Sequence, residues 1–165
     1  MSPRVVLVGP PGALVEEVAG ALGALLEAPV RSTDRDVEQA AGADVAEIFV
    51  TQGESAFRDL EHAATAEALS GHDGVLVLGG GAPMDPRTEA DLGGHTVVFL
   101  DASLSAAARR LGFTGSTHVV NPRAQWKRMM DARRPVYERV ATFVVSTDDK
   151  EPAEVAEELR ALLTA

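Results

Sequence analysis

A run of apolar residues ends on a glycine-bounded turn, and a helix-length stretch follows. Arg4-Val5-Val6-Leu7-Val8 reads as a short strand, Gly9-Pro10-Pro11-Gly12 as a tight turn, and Ala13 to Leu26 as a helix. A strand with no polar alternation must be buried on both faces, which confines it to a parallel sheet covered by helices. The same kind of run recurs at Gly74-Val75-Leu76-Val77-Leu78 and at Thr96-Val97-Val98-Phe99-Leu100. Thr142-Phe143-Val144-Val145 is a fourth candidate, and Pro29-Val30-Arg31-Ser32 is a shorter fifth. Helical patterns separate them over Asp44 to Val50, Glu54 to Leu69, Leu104 to Leu111, Trp126 to Val140 and Ala153 to Leu163. Thr33-Asp34-Arg35-Asp36 reads as a helix start, a hydroxyl capping the first turn with an acid three residues on. Strands alternating with helices predict an α/β fold of three layers, α/β/α, around a five-stranded parallel sheet with right-handed crossovers.

The 165 residues suit one domain spanning the whole chain. A net charge of −10 leaves no basic stripe, so neither nucleic acid nor an anionic membrane surface is an expected partner. There is no cysteine, which excludes thiolate chemistry and disulfides. None of His62, His72, His95 and His118 has a metal-ligand spacing, so no metal site is expected. No leader and no membrane-length apolar stretch is read, and a cytoplasmic location is the expectation.

A strand, a glycine turn and a helix together begin the phosphate-binding loop, whose full pattern is G-x-x-x-x-G-K-S/T. Counted from Gly9, the second glycine falls on Leu14, the lysine on Val15 and the hydroxyl residue on Glu16, with Glu17 after it. The frame of the motif is there without its reactive residues.

Further along, Asp34 stands after the second strand, followed by Glu38-Gln39. Ile48-Phe49, Gly53-Glu54, Phe57-Arg58 and Glu61 follow in order, then Gly79-Gly80-Gly81-Ala82 after the third strand and Arg133-Arg134-Pro135-Val136-Tyr137 near the end. This ordered set resembles the shikimate kinase family, nearly end to end, with its P-loop kinase fold. The I-F, G-E-x-x-F-R-x-x-E and R-x-P-L-Y elements of that family carry the match.

The resemblance implies a substrate-binding region at about 33–62 and a lid at about 112–122. It implies that Arg58 and Arg133 clamp the shikimate carboxylate, that Asp34 accepts hydrogen bonds from the ring hydroxyls, and that Gly79, Gly80 and Gly81 let backbone N–H groups approach the ligand. If the chain is active, Asp34 is its catalytic residue, and ATP and Mg²⁺ are required. On the nucleotide side the matching positions are Gly9, Gly12, Val15, Glu16 and Arg110, with Ser146 to Pro152 at the adenine loop. The family's first metal-site aspartate is replaced by Ser32, and its lid arginine is missing from Thr117-His118-Val119-Val120-Asn121.

The expected function is therefore a shikimate kinase-like protein without catalysis and without a resident cofactor. It would sense shikimate or a related hydroxy acid, or regulate a partner enzyme of aromatic amino acid biosynthesis. The alternatives are an active divergent kinase, placing ATP with Lys127, Arg123 or Arg128, and an interaction protein with a vestigial pocket. Plainer roles also stand beside each residue: Asp34 as part of a helix cap, Arg58 as a solvated ion pair, and one of Arg133 and Arg134 as surface charge. Trp126, Met129, Met130, Val136 and Tyr137 have the spacing of helical core.

Overall fold

The structure, a computed structural model, describes residues 1–113 and 121–165. The elements alternate as the apolar runs predict. The first half holds β1 (Val5–Val8), α1 (Val15–Leu26), β2 (Val30–Ser32), α2 (Thr33–Ala41), α3 (Val45–Gln52), α4 (Glu54–Gly71) and β3 (Val75–Val77). A single 3₁₀ turn (Ala82–Met84) leads into α5 (Pro86–Asp91), which is followed by β4 (Val97–Asp101), α6 (Leu104–Leu111), α7 (Pro122–Val140), β5 (Phe143–Ser146) and α8 (Pro152–Thr164).

The sheet has five strands in the order β2-β3-β1-β4-β5, and all four pairings are parallel. Side chains alternate across it. Val5, Leu7, Val75, Val77, Val98 and Leu100 face a core shared with Val18, Leu22, Val155 and Leu159 of α1 and α8. Val6, Val8, Leu76, Val97 and Phe99 face a second core with Leu69 of α4 and Trp126, Met130 and Tyr137 of α7. Both faces of β1 are thus buried, which accounts for a strand without polar alternation. A third, smaller cluster of Val37, Ile48 and Phe57 holds α2, α3 and α4 together beside the sheet.

Several boundaries differ from the sequence reading for local reasons. Ser32, not Thr33, caps α2, its hydroxyl accepting from the Arg35 N–H at 3.5 Å. Thr33 is buried instead, donating to the Val77 carbonyl and accepting from the Gly79 N–H, both at 3.4 Å. Helix α7 starts four residues before Trp126, because Asn121 caps it and Pro122 occupies its first position, where a missing N–H costs nothing. Helix α5 was not anticipated; Asp85 caps it and Pro86 opens it. No helix among the described residues is long and apolar enough to cross a membrane. The residues 114–120, with His118 and most of the expected lid, lie outside the described part.

Candidate active site

In a parallel sheet ligands bind beyond the carboxyl ends of the strands, where the strand order reverses. Here that point is β1, which lies between β3 and β4. The segments leaving β1, β2 and β3 at that end, Gly9–Gly12, Asp34 and Gly79–Gly81, line one cavity of about 510 Å³. Arg58 and Glu61 of α4, Arg133 of α7 and Arg110 of α6 line it as well.

The glycine turn is fitted to three side chains. A Cβ on Gly79 would come within 2.5 Å of the Asp34 carboxylate, one on Gly80 within 3.1 Å of the Arg133 guanidinium, and one on Gly81 within 2.7 Å of the Arg58 guanidinium. Any side chain there would displace the charged groups, so the turn must be bare for the cluster to form. The Tyr137 hydroxyl donates to the Gly80 carbonyl at 2.6 Å and fixes the turn from the α7 side. Burial pushes the Tyr137 phenol up, with Arg133 beside it acting in the opposite sense.

Arg58 is not a solvated ion pair. Its Nη1 donates to Glu61 at 2.6 Å, and the Glu61 side chain is only 3% exposed. Burial raises the Glu61 carboxyl above its ordinary range, while the bond from Arg58 pulls it back. The guanidinium also lies over Phe49 and Phe57, at 5.8 and 5.4 Å from the ring centroids. One donor is thereby fixed on a buried carboxylate, and the Arg58 Nη2 lies beside Gly81 at the cavity wall. Asp34 caps nothing. Its carboxyl is raised above the usual range by burial first, then by Glu38 and Glu16, against the opposing charge of Arg58. Of the adjacent arginines, Arg133 lines the cavity, whereas Arg134 makes two bonds to Asp101 at 2.7 and 3.0 Å and lies over Phe99.

At the other end, the loop keeps a phosphate-loop backbone with different side chains. Leu14 sits at φ 59, ψ 33, the left-handed conformation natural to the glycine of the motif. Gly12 has φ +90, and a Cβ there would meet Ala107 at 2.8 Å. Helix α1 begins at Val15, so Glu16 and Glu17 stand in its first turn and line the cavity. Glu16 pairs with Arg35 of α2 at 3.3 Å. Two contacts brace the loop from behind, and sequence reasoning missed both. The Trp126 indole N–H donates to the Pro11 carbonyl at 2.9 Å. Arg110 donates to the Gly12 carbonyl at 2.9 Å and to the Thr147 carbonyl and hydroxyl at 2.6 and 3.0 Å. Trp126 had the spacing of a core residue and is one, but its polar edge has a second task. Lys127, a candidate cation for an active site, pairs with Asp131 on its own helix instead. Among the described residues no group of three or more His, Cys, Asp or Glu side chains is placed to hold a metal ion.

The chain is similar to known proteins over nearly its whole length. Residues 16–164 match the family model described as shikimate kinase. A shikimate kinase of Salinispora arenicola is 48% identical over 167 residues, covering 100% of both chains. One of Streptomyces coelicolor is 46% identical over 158 residues, covering 94% of this chain and 92% of that one. Among solved structures, the shikimate kinase of Acinetobacter baumannii in complex with shikimate superposes with a TM-score of 0.90 at 27% identity, covering 99% of this chain and 93% of that one.

Proposed function

The chain belongs to the shikimate kinase family, and we propose that it binds shikimate in this cavity while its phosphoryl transfer is reduced by orders of magnitude. The observation that carries the binding half is the Gly79–Gly81 turn, set against Asp34, Arg133 and Arg58 at one cavity wall. Two guanidinium groups suit a carboxylate, and a carboxylate beside them suits ring hydroxyls. In this reading residues 33–62 form the substrate-binding region, and the acid belongs to aromatic amino acid biosynthesis.

The reduced transfer rests on the loop. Phosphoryl transfer is mostly positioning and charge stabilisation. An ATP·Mg²⁺ site needs a cation and a hydroxyl where this loop carries Val15 and Glu16, with Glu17 beside them. Like charges about 4 Å apart at an effective dielectric of about 20 repel by roughly 4 kcal/mol. Arg110, one of the nucleotide-side positions, donates to the Gly12 carbonyl and to Thr147. The donor set does not fit the triphosphate, and removing one charge-stabilising donor typically lowers a rate by about 10²–10³.

A second reading has its own support. The relatives at 46–48% identity are named shikimate kinase, and those names favour an active enzyme that uses ATP and Mg²⁺. On similarity alone this is the better-supported reading. A coupled assay with shikimate and ATP·Mg²⁺ decides between them. Turnover at or below about one thousandth of a kinase carrying the full loop supports reduced transfer. Robust turnover abolished by Asp34→Asn establishes the active kinase. An interaction role with a vestigial pocket requires that shikimate fail to raise the melting temperature.

A further inference from the structure

The charges around the cavity are divided by position, and the division bears on which form of the acid the site accepts. Resting on the proposal that shikimate binds here, the geometry points to Glu16 and Glu17 as specificity determinants that admit the free hydroxy acid and reject its phosphate ester.

Asp34 faces the glycine turn from one side, and the Glu16 charge is felt at its carboxyl. Glu16 and Glu17 line the same cavity from the first turn of α1. A hydroxyl held by Asp34 would share the cavity with the Glu16 and Glu17 carboxylates. A neutral hydroxyl donates to such groups at no electrostatic cost. A phosphate on that oxygen would bring close to two negative charges among them.

Arg35, which pairs with Glu16, and Arg110, which lines the cavity beside the loop, are already engaged. Arg35 lies on Glu16 at 3.3 Å, and Arg110 is held by the Gly12 carbonyl and by Thr147. Recruiting either one breaks a contact that the folded protein already makes. The N-terminus of α1 would favour an anion, but Glu16 and Glu17 already put two anions in that first turn. Like-charge juxtaposition of this kind is a means of excluding a wrong ligand rather than of strengthening the right one.

The consequence is a site that reads the acid before phosphorylation and ignores it afterwards. Such a site reports the substrate pool in the presence of an active kinase.

The test is paired calorimetric titration of the intact protein with shikimate and with shikimate 3-phosphate in one low-salt buffer. The wild-type protein is expected to bind the ester at least about tenfold more weakly than the acid. In the Glu16→Gln/Glu17→Gln variant the gap should close by at least about fivefold, with the gain on the ester side. Both glutamates are exposed, so the fold does not depend on them. As a check without substitution, raising the salt should narrow the wild-type gap by screening the exposed carboxylates. Equal affinity for acid and ester in the wild type overturns the inference and leaves shikimate binding intact. A gap that persists unchanged in the double variant and in high salt also overturns it. If shikimate itself fails to bind, the pocket assignment falls and the inference falls with it.

Discussion

The glycine-turn end of the cavity and the loop end are built from the same kinds of segment, each leaving the carboxyl end of a central strand, yet the first meets charges of both signs and the second two carboxylates. At Gly79–Gly81 the backbone is bare and the facing side chains are Asp34, Arg133 and Arg58, the last held by buried Glu61. At Gly9–Gly12 the backbone is also constrained, by a Gly12 conformation and an Ala107 contact that admit no side chain. The groups beyond it are Val15, Glu16 and Glu17. The carbonyls of Pro11 and Gly12 are taken by Trp126 and Arg110. The comparison teaches that a loop's shape and its chemistry are held by different residues. Packing against α6 and α7 maintains the turn, so its charges can change without loss of the fold.

The largest effect should come from breaking the glycine-turn end. Arg58→Ala removes a carboxylate donor and leaves Glu61 buried without its partner. Shikimate affinity should fall by roughly a hundredfold, with a stability loss of about 3 kcal/mol. Adding Glu61→Gln should recover much of the stability and none of the affinity. Calorimetry and thermal denaturation read the two separately.

Asp34→Asn should lower shikimate affinity by about tenfold through loss of a charged acceptor. Its effect on stability has the opposite sign. Burial, Glu38 and Glu16 raise the Asp34 carboxyl, so the native state holds that proton more tightly than the unfolded chain does. The favourable contribution is complete below the ordinary carboxylate range and is lost as the pH rises through the raised value. At neutral pH the ionised group is a burden, and Asp34→Asn should raise the melting temperature. The gain should shrink as the pH is lowered through the raised value, where Asp34 itself takes up its proton. A variant that melts lower than wild type at pH 7 would contradict this account.

At the loop end a change of similar size is expected, in the nucleotide instead of the acid. Val15→Lys with Glu16→Ser and Glu17→Thr should tighten ATP·Mg²⁺ binding by roughly tenfold, because it replaces repulsion with a cation and a hydroxyl. Turnover should stay low while Leu14 and Ser32 remain. Full activity from those three changes would show that the rest of the site matters little. The smallest effect concerns the brace. Trp126→Phe keeps the packing and removes one hydrogen bond, which should cost about 1 kcal/mol and leave shikimate affinity unaltered.

The fold and the glycine-turn end were legible because each rests on local pattern. Continuous apolar runs marked strands buried on both faces, and β1, β3 and β4 lie where Val5, Val75 and Val97 indicated. Glycines after a strand marked a bare turn. What escaped the sequence reading depends on contacts across long separations. Nothing near Trp126 announces that its indole meets Pro11, and nothing near Arg110 announces a bond to Gly12. The motif count put Leu14 at the loop's second glycine, but its apolar, helical context did not show that it keeps a glycine's backbone conformation. Thr33 and Ser32 could each cap α2 on composition alone, and only the position of the Val77 carbonyl decides between them. By contrast, the start of α5 at Asp85-Pro86 and of α7 at Asn121-Pro122 carried readable signals, a polar cap followed by proline at the first helical position.

The most direct test of the contrast between the two ends is calorimetric titration of the wild-type protein with shikimate and then with ATP·Mg²⁺ in one buffer. The account predicts saturable shikimate binding and no measurable heat from ATP·Mg²⁺. Tight ATP·Mg²⁺ binding would contradict it, and would mean that the loop meets the triphosphate despite Val15, Glu16 and Glu17.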